Sequence, residues 1–143
     1  MSGRRAGPQA PGCDERGLTI SVFVLVILAA LVATAGLVID GGQKVTAASQ
    51  AEAAADGAAR AAGNAAATQR LAGRDGAGAG VLAAKAYLAG QPGVTGSVSL
   101  ADGVVRVQTA ATEPTIFLTA IGIGEVTGTG SATASVVPTG QER

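Results

Sequence analysis

Residues 18–39 read LTISVFVLVILAALVATAGLVI, 22 residues without a charge, closed by Arg16-Gly17 on one side and Asp40-Gly41-Gly42 on the other. As a helix this run would span about 33 Å, the thickness of a bilayer's hydrocarbon core. Three structures compete for it: a buried core helix, a cleaved signal peptide and a permanent membrane anchor. A core helix of this length should show one polar stripe, and only Thr19, Ser21 and Thr34 interrupt the run. A signal peptide has a shorter apolar region, about 7–15 residues, followed by a polar cleavage zone. Ala33-Thr34-Ala35 offers a small-x-small cleavage site, yet the run continues through Gly36-Leu37-Val38-Ile39. The reading is a transmembrane helix over 18–39, with release after Ala35 as the alternative.

The flanks orient that helix. Arg4, Arg5 and Arg16 precede it, whereas Lys44 alone lies close behind. Counting positive charge places the N-terminus in the cytoplasm and the residues after Asp40 outside, in the cell membrane as a single-pass protein. Residues 1–17, short and rich in Gly and Pro, read as a disordered cytoplasmic tail. Within the span, Ala29, Ala33 and Gly36 share one helical face. Small residues at that spacing let helices approach closely in lipid; equally, Ala is simply common in this chain.

From Asp40 the sequence runs DGGQKVTAASQAEAAADGAARAAGNAAATQRL. An acid is unfavourable at a helix C-terminus and a good N-cap, and Gln43 stands where a capping box wants it. Asp40 and Gln43 are therefore expected to cap a second helix at the membrane exit, 40–71, after a break or kink at Gly41-Gly42. Ser49, Glu52, Asp56 and Arg60 form its polar face, with Asp56 and Arg60 spaced as an i,i+4 pair. Ala47, Ala51, Ala54, Ala58, Ala62 and Ala65 line the other face, an apolar stripe that permits very close contact.

Residues 72–80 form a flexible linker by composition; their glycines lack the Lys-Ser/Thr ending and preceding strand of a phosphate loop. Residues 81–138 read as a small α+β domain and 139–143 as a disordered tail. A helix over Val81–Leu88 is stopped by Gly90 and Pro92. Val94, Gly96, Val98 and Leu100 then alternate with small or polar residues. Asp102-Gly103 supplies a two-residue hairpin turn, and Val105, Val107 and Thr109 alternate again. Pro114 opens a short apolar helix, Thr115 to Ile123. Val126, Gly128, Gly130, Ala132, Ala134 and Val136 make one face of a last strand, with Thr and Ser between. The fold class is α+β: a membrane helix continuing into an Ala-rich helix, then a small three-stranded antiparallel sheet with one or two short helices.

Composition excludes several function classes. Ten basic and ten acidic residues cancel, and no basic run lies beyond the N-terminal residues, so nucleic-acid binding has no footprint. With no His, one Cys and no clustered acids, the chain lacks a general base for its hydroxyls and a ligand set for a metal. No catalytic residue, cofactor or small-molecule substrate is expected. Cys13 precedes the apolar run, the wrong order for a bacterial lipoprotein signal, and reads as an inert thiol. Outside the span the large core-formers are few: Leu71, Leu82, Tyr87, Leu88, Ile116, Phe117, Leu118, Ile121 and Ile123. Such a core is thin, so the soluble part should lean on a partner.

Glu15-Arg16-Gly17, the apolar span, Gly36-Leu37-Val38-Ile39-Asp40-Gly41-Gly42 and Gln50 to Ala59 together resemble the start of TadE/TadG-like proteins of tight-adherence (Flp) pilus systems. The ending, Thr115 to Leu118, Ile121-Gly122-Ile123 and a Thr/Ser/Ala strand, is similar to actinobacterial members. The resemblance implies a pilin-like, membrane-anchored pseudopilin-type subunit. Its partners would be the lipid bilayer and other pilin-like subunits or secretion-machine membrane proteins. It also implies a prepilin-type processing junction between Gly17 and Leu18. Val22 departs from the pilin pattern, which carries Glu near that place.

Overall fold

The computed structural model describes the backbone of residues 15–136 and the side chains from Ile20 onward. Arg4, Arg5, Cys13 and the tail expected over 139–143 lie outside the described residues. The chain divides into two compact units, residues 1–35 and 36–143. The described part of the first is helix throughout, and its side chains from Ile20 to Ala35 are all exposed. The hydroxyl of Thr34 donates to the Ala30 carbonyl at 2.8 Å, so this polar group is satisfied within its own helix.

Helix α1 runs unbroken over Glu15–Leu71. This corrects the expected break at Gly41-Gly42: two helix-interior glycines cost about 1 kcal/mol each relative to Ala, and contacts on both sides of them outweigh that. It also corrects the start, since the helical backbone begins at Glu15, inside the segment read as a tail. Helix α2 covers Ala77–Ala89, four residues earlier than Val81. The Asp75 Oδ1 accepts the Ala77 amide at 3.1 Å, and the last four of the nine expected linker residues belong to the helix.

The second unit is a two-layer α/β sandwich. Strands β1 (Val94–Ala101), β2 (Val104–Pro114) and β3 (Glu125–Ser135) form one antiparallel sheet in the order β1-β2-β3. Asp102 and Gly103 close the β1–β2 hairpin with φ of 51° and 72°, the left-handed pair that a two-residue turn requires. Pro114 ends β2 opposite Glu125 instead of opening a helix. Within 115–123 only a 3₁₀ turn forms, Leu118–Ile121, terminated by Gly122 at φ 89°.

The layers meet on a surface of very small residues. Ala47, Ala51, Ala54, Ala58 and Ala62 of α1 are buried as the stripe requires, with Ala66 in the place expected for half-buried Ala65. Gly128 and Gly130 of β3 lie directly on the helix backbone. A Cβ at Gly128 would come 2.1 Å from the Ala48 nitrogen, and one at Gly130 would come 2.5 Å from Glu52's. At that separation the buried Thr109 hydroxyl reaches across and donates to the Ala51 carbonyl of α1 at 2.7 Å. The core is Ala and Val: Val105, Val107, Val136 and Leu88 pack among the alanines. Most of the bulky residues expected to build it, including Leu71, Leu82, Ile116, Ile121 and Ile123, are exposed instead. Asp56 and Arg60 do pair, at 4.0 Å with both side chains open to solvent, a geometry that contributes little.

Candidate functional site

Position 40 carries the most unusual local chemistry in the second unit. Asp40 follows Ile39, the last residue of the uncharged run, and lies within α1. A carboxylate there is far from either helix end, so no orphan amide of its own helix is available to it. Its side chain is nevertheless only 1 % exposed. Burying a charge is unfavourable unless strong donors replace water, and three consecutive backbone amides do so. Ile116 donates to Oδ1 at 2.8 Å, Leu118 to Oδ2 at 2.6 Å, and Phe117 lies between them, 3.1 Å from Oδ2 and 3.3 Å from Oδ1.

These amides open the 3₁₀ turn Leu118–Ile121. Asp40 is therefore a cap, but of a segment 76–78 residues ahead, and not of a helix beginning at the membrane exit. Gln43, the expected second member of a capping box, lies within the same continuous helix. Burial is the largest single effect on the Asp40 carboxyl and pushes its pKa up. The amides of Ile116, Leu118 and Phe117 together outweigh it and hold the group below its ordinary value. A carboxylate so occupied is a latch, with its lone pairs already engaged, and is poorly suited to be a general base.

One turn earlier on the same face, buried Gly36 receives the Phe117 ring. A Cβ at 36 would come 2.6 Å from the ring's Cγ, so the absence of a side chain is what lets Phe117 seat. Gly36 is thus covered by its own chain, whereas Ala29 and Ala33, expected on the same packing face, are exposed. The segment seated on Gly36 and Asp40 is closed on itself. The Thr115 amide donates to the Gly124 carbonyl at 3.0 Å, the Ile123 amide to the Leu118 carbonyl at 3.0 Å, and the Thr115 hydroxyl to the Ile123 carbonyl. A further tether follows along α1, where Lys44 Nζ donates to the Thr127 carbonyl at 3.2 Å.

The structure thus brings Gly36 and Asp40 together with Thr115–Leu118, a grouping that sequence reasoning missed. Each half carries a local hint, GLVIDGG on one side and the uncharged PTIFLTAIGIG on the other, but nothing in the spacing joins them. Gly17 and Leu18 have helical backbone; their side chains are not described.

Comparison with protein families matches residues 17–69 to the Tad family of Flp pilus-assembly TadE/G-like proteins. The matched segment is nearly the whole of α1 and contains Gly36 and Asp40, whereas the loop they hold lies beyond it. The match supports a role in Tad pilus assembly. Comparison with curated proteins and with solved structures gives no match.

Proposed function

We propose that this TadE/G-like chain is a membrane-anchored, pseudopilin-like component of a Tad/Flp-type pilus assembly or related secretion apparatus. It acts by helix packing and subunit contact, without catalysis. The observation that carries the reading is the first part of α1: a helix long and apolar enough to cross a membrane, almost wholly unburied, lying inside the segment that matches the family. A soluble protein would have to leave that surface in water, at roughly 25 cal/mol per Å2 of apolar area. In a bilayer the same surface is at home.

In this reading 18–39 spans the membrane, residues before it are cytoplasmic and the sandwich is extracytoplasmic. Ala29 and Ala33 remain open for close packing with helices of neighbouring subunits or platform proteins, while Gly36 is committed to Phe117. Processing between Gly17 and Leu18 would leave the anchor intact. One observation favours a second reading, a small domain released by signal peptidase: the second compact unit begins at Gly36, the residue after Ala33-Thr34-Ala35.

Fractionation of native cells tests the proposal. The protein should stay with membranes through alkaline carbonate and copurify, in mild detergent, with a secretion ATPase or membrane platform protein. Recovery of the whole pool in the carbonate supernatant would refute it.

A further inference from the structure

Between Glu113 and Glu125 the chain carries no charge for eleven residues, Pro114 to Gly124. Three of its apolar side chains point outward: Ile116 is 61 % exposed, Ile121 72 % and Ile123 46 %, while Phe117 is turned in against Gly36. A small domain with so thin a core would be expected to bury its few large side chains, yet it leaves three of them out on one exposed loop. The loop's position gives a reason. It is held at Gly36 and Asp40, where the uncharged run ends and Leu37, Val38 and Ile39 are exposed as well.

We infer that the 114–124 loop is an apolar collar that sinks into the bilayer interface where α1 leaves the membrane, its occupant being lipid. The inference rests on the anchored reading above. Two further observations select lipid over a protein partner. Within the collar and the turn of α1 that seats it, the one charge, Asp40, is sequestered by three amides. Glu113 and Glu125 stand outside the collar at its two ends, so the collar itself carries no unpaired charge into a poorly hydrated layer. The next charge along α1 is Lys44, exposed one turn further on, whose ammonium donates to the Thr127 carbonyl and keeps its remaining protons for headgroups.

The test uses the full chain, with Cys13→Ser, reconstituted in phosphatidylcholine vesicles and carrying one environment-sensitive fluorophore at a time. Ile121→Cys and Ile123→Cys report on the collar, Leu28→Cys on the span, and Thr133→Cys on the exposed sheet face. Both collar positions are exposed, so each labelled variant should fold, and either one suffices as a readout. The collar reporters should emit at shorter wavelength than Thr133→Cys and be quenched by lipids brominated near the headgroup. An emission as aqueous as that of Thr133→Cys, with Leu28→Cys still quenched by lipid, overturns the collar and leaves the anchor standing. A blue-shifted collar reporter that brominated lipid fails to quench places a second protein surface there and overturns lipid as the occupant. Loss of lipid quenching at Leu28→Cys overturns the anchored reading itself, and the collar with it.

Discussion

Asp40 shows how one side chain can decide a local fold from a distance. A carboxylate accepting three amide protons is more acidic than in the unfolded chain. Its contribution is therefore fully present above the unfolded value, about pH 4, and is lost as pH falls through the lowered folded value. Asp40→Asn replaces one accepting oxygen by a donor that faces amide donors. It should lower the melting temperature of the detergent-solubilised chain at neutral pH and expose the Phe117–Leu118 segment to chymotrypsin. The gap between wild type and variant should narrow as pH drops below about 4; a gap unchanged at pH 3 would contradict the latch. Gly36→Ala removes the seat of Phe117 and should expose the same segment to protease, this time independently of pH.

At the scale of elements, the governing feature is how near β3 lies to α1. Gly128→Ala puts a methyl group on the backbone of Ala47 and Ala48, which no rotamer change relieves. Overpacking of this kind costs about 1–3 kcal/mol, and each kcal/mol shifts the midpoint of a domain of this size by roughly 4–8 °C. A melting temperature unmoved by Gly128→Ala would mean that helix and strand are not in contact there. In the hairpin, Gly103→Val should destabilise by about 1–2 kcal/mol, because a β-branched residue is strained at φ 72°, whereas Asp102→Asn should be nearly neutral. Circular-dichroism melts of both variants check this.

The same elements show what was legible beforehand. The uncharged run, the alanine stripe, the Asp-Gly turn and the alternation from Val126 to Val136 are local patterns, and local patterns report on local structure. What escaped depends on contacts between distant residues. Gly41-Gly42 has the composition of a break, yet Asp40 is bonded to residues 116–118 and Ala47 is packed under Gly128, so the helix is held on either side. The Ala77-Gly78-Ala79-Gly80 segment has the composition of a linker, but Gly80 packs on the Ala62 carbonyl and Val136, a close approach that a larger residue would obstruct. The apolar pattern after Pro114 resembles a helix because a collar and a buried helix draw on the same residues; only exposure tells them apart.

For the whole molecule, the features that matter are an apolar helical run exposed from Ile20 to Ala35 and a core built of Ala and Val. Helix α1 is continuous from the apolar run into the alanine stripe, so the proposed anchor and the buried stripe belong to one element. Release after Ala35 would cut that element immediately before the buried Gly36. The measurement that tests this most directly is the intact mass and N-terminal sequence of the protein recovered from its native cells. The account predicts a membrane-bound chain that retains residues 18–39, beginning either at its first residues or at Leu18 after prepilin-type processing. A chain beginning at Gly36 and found outside the membrane would contradict it.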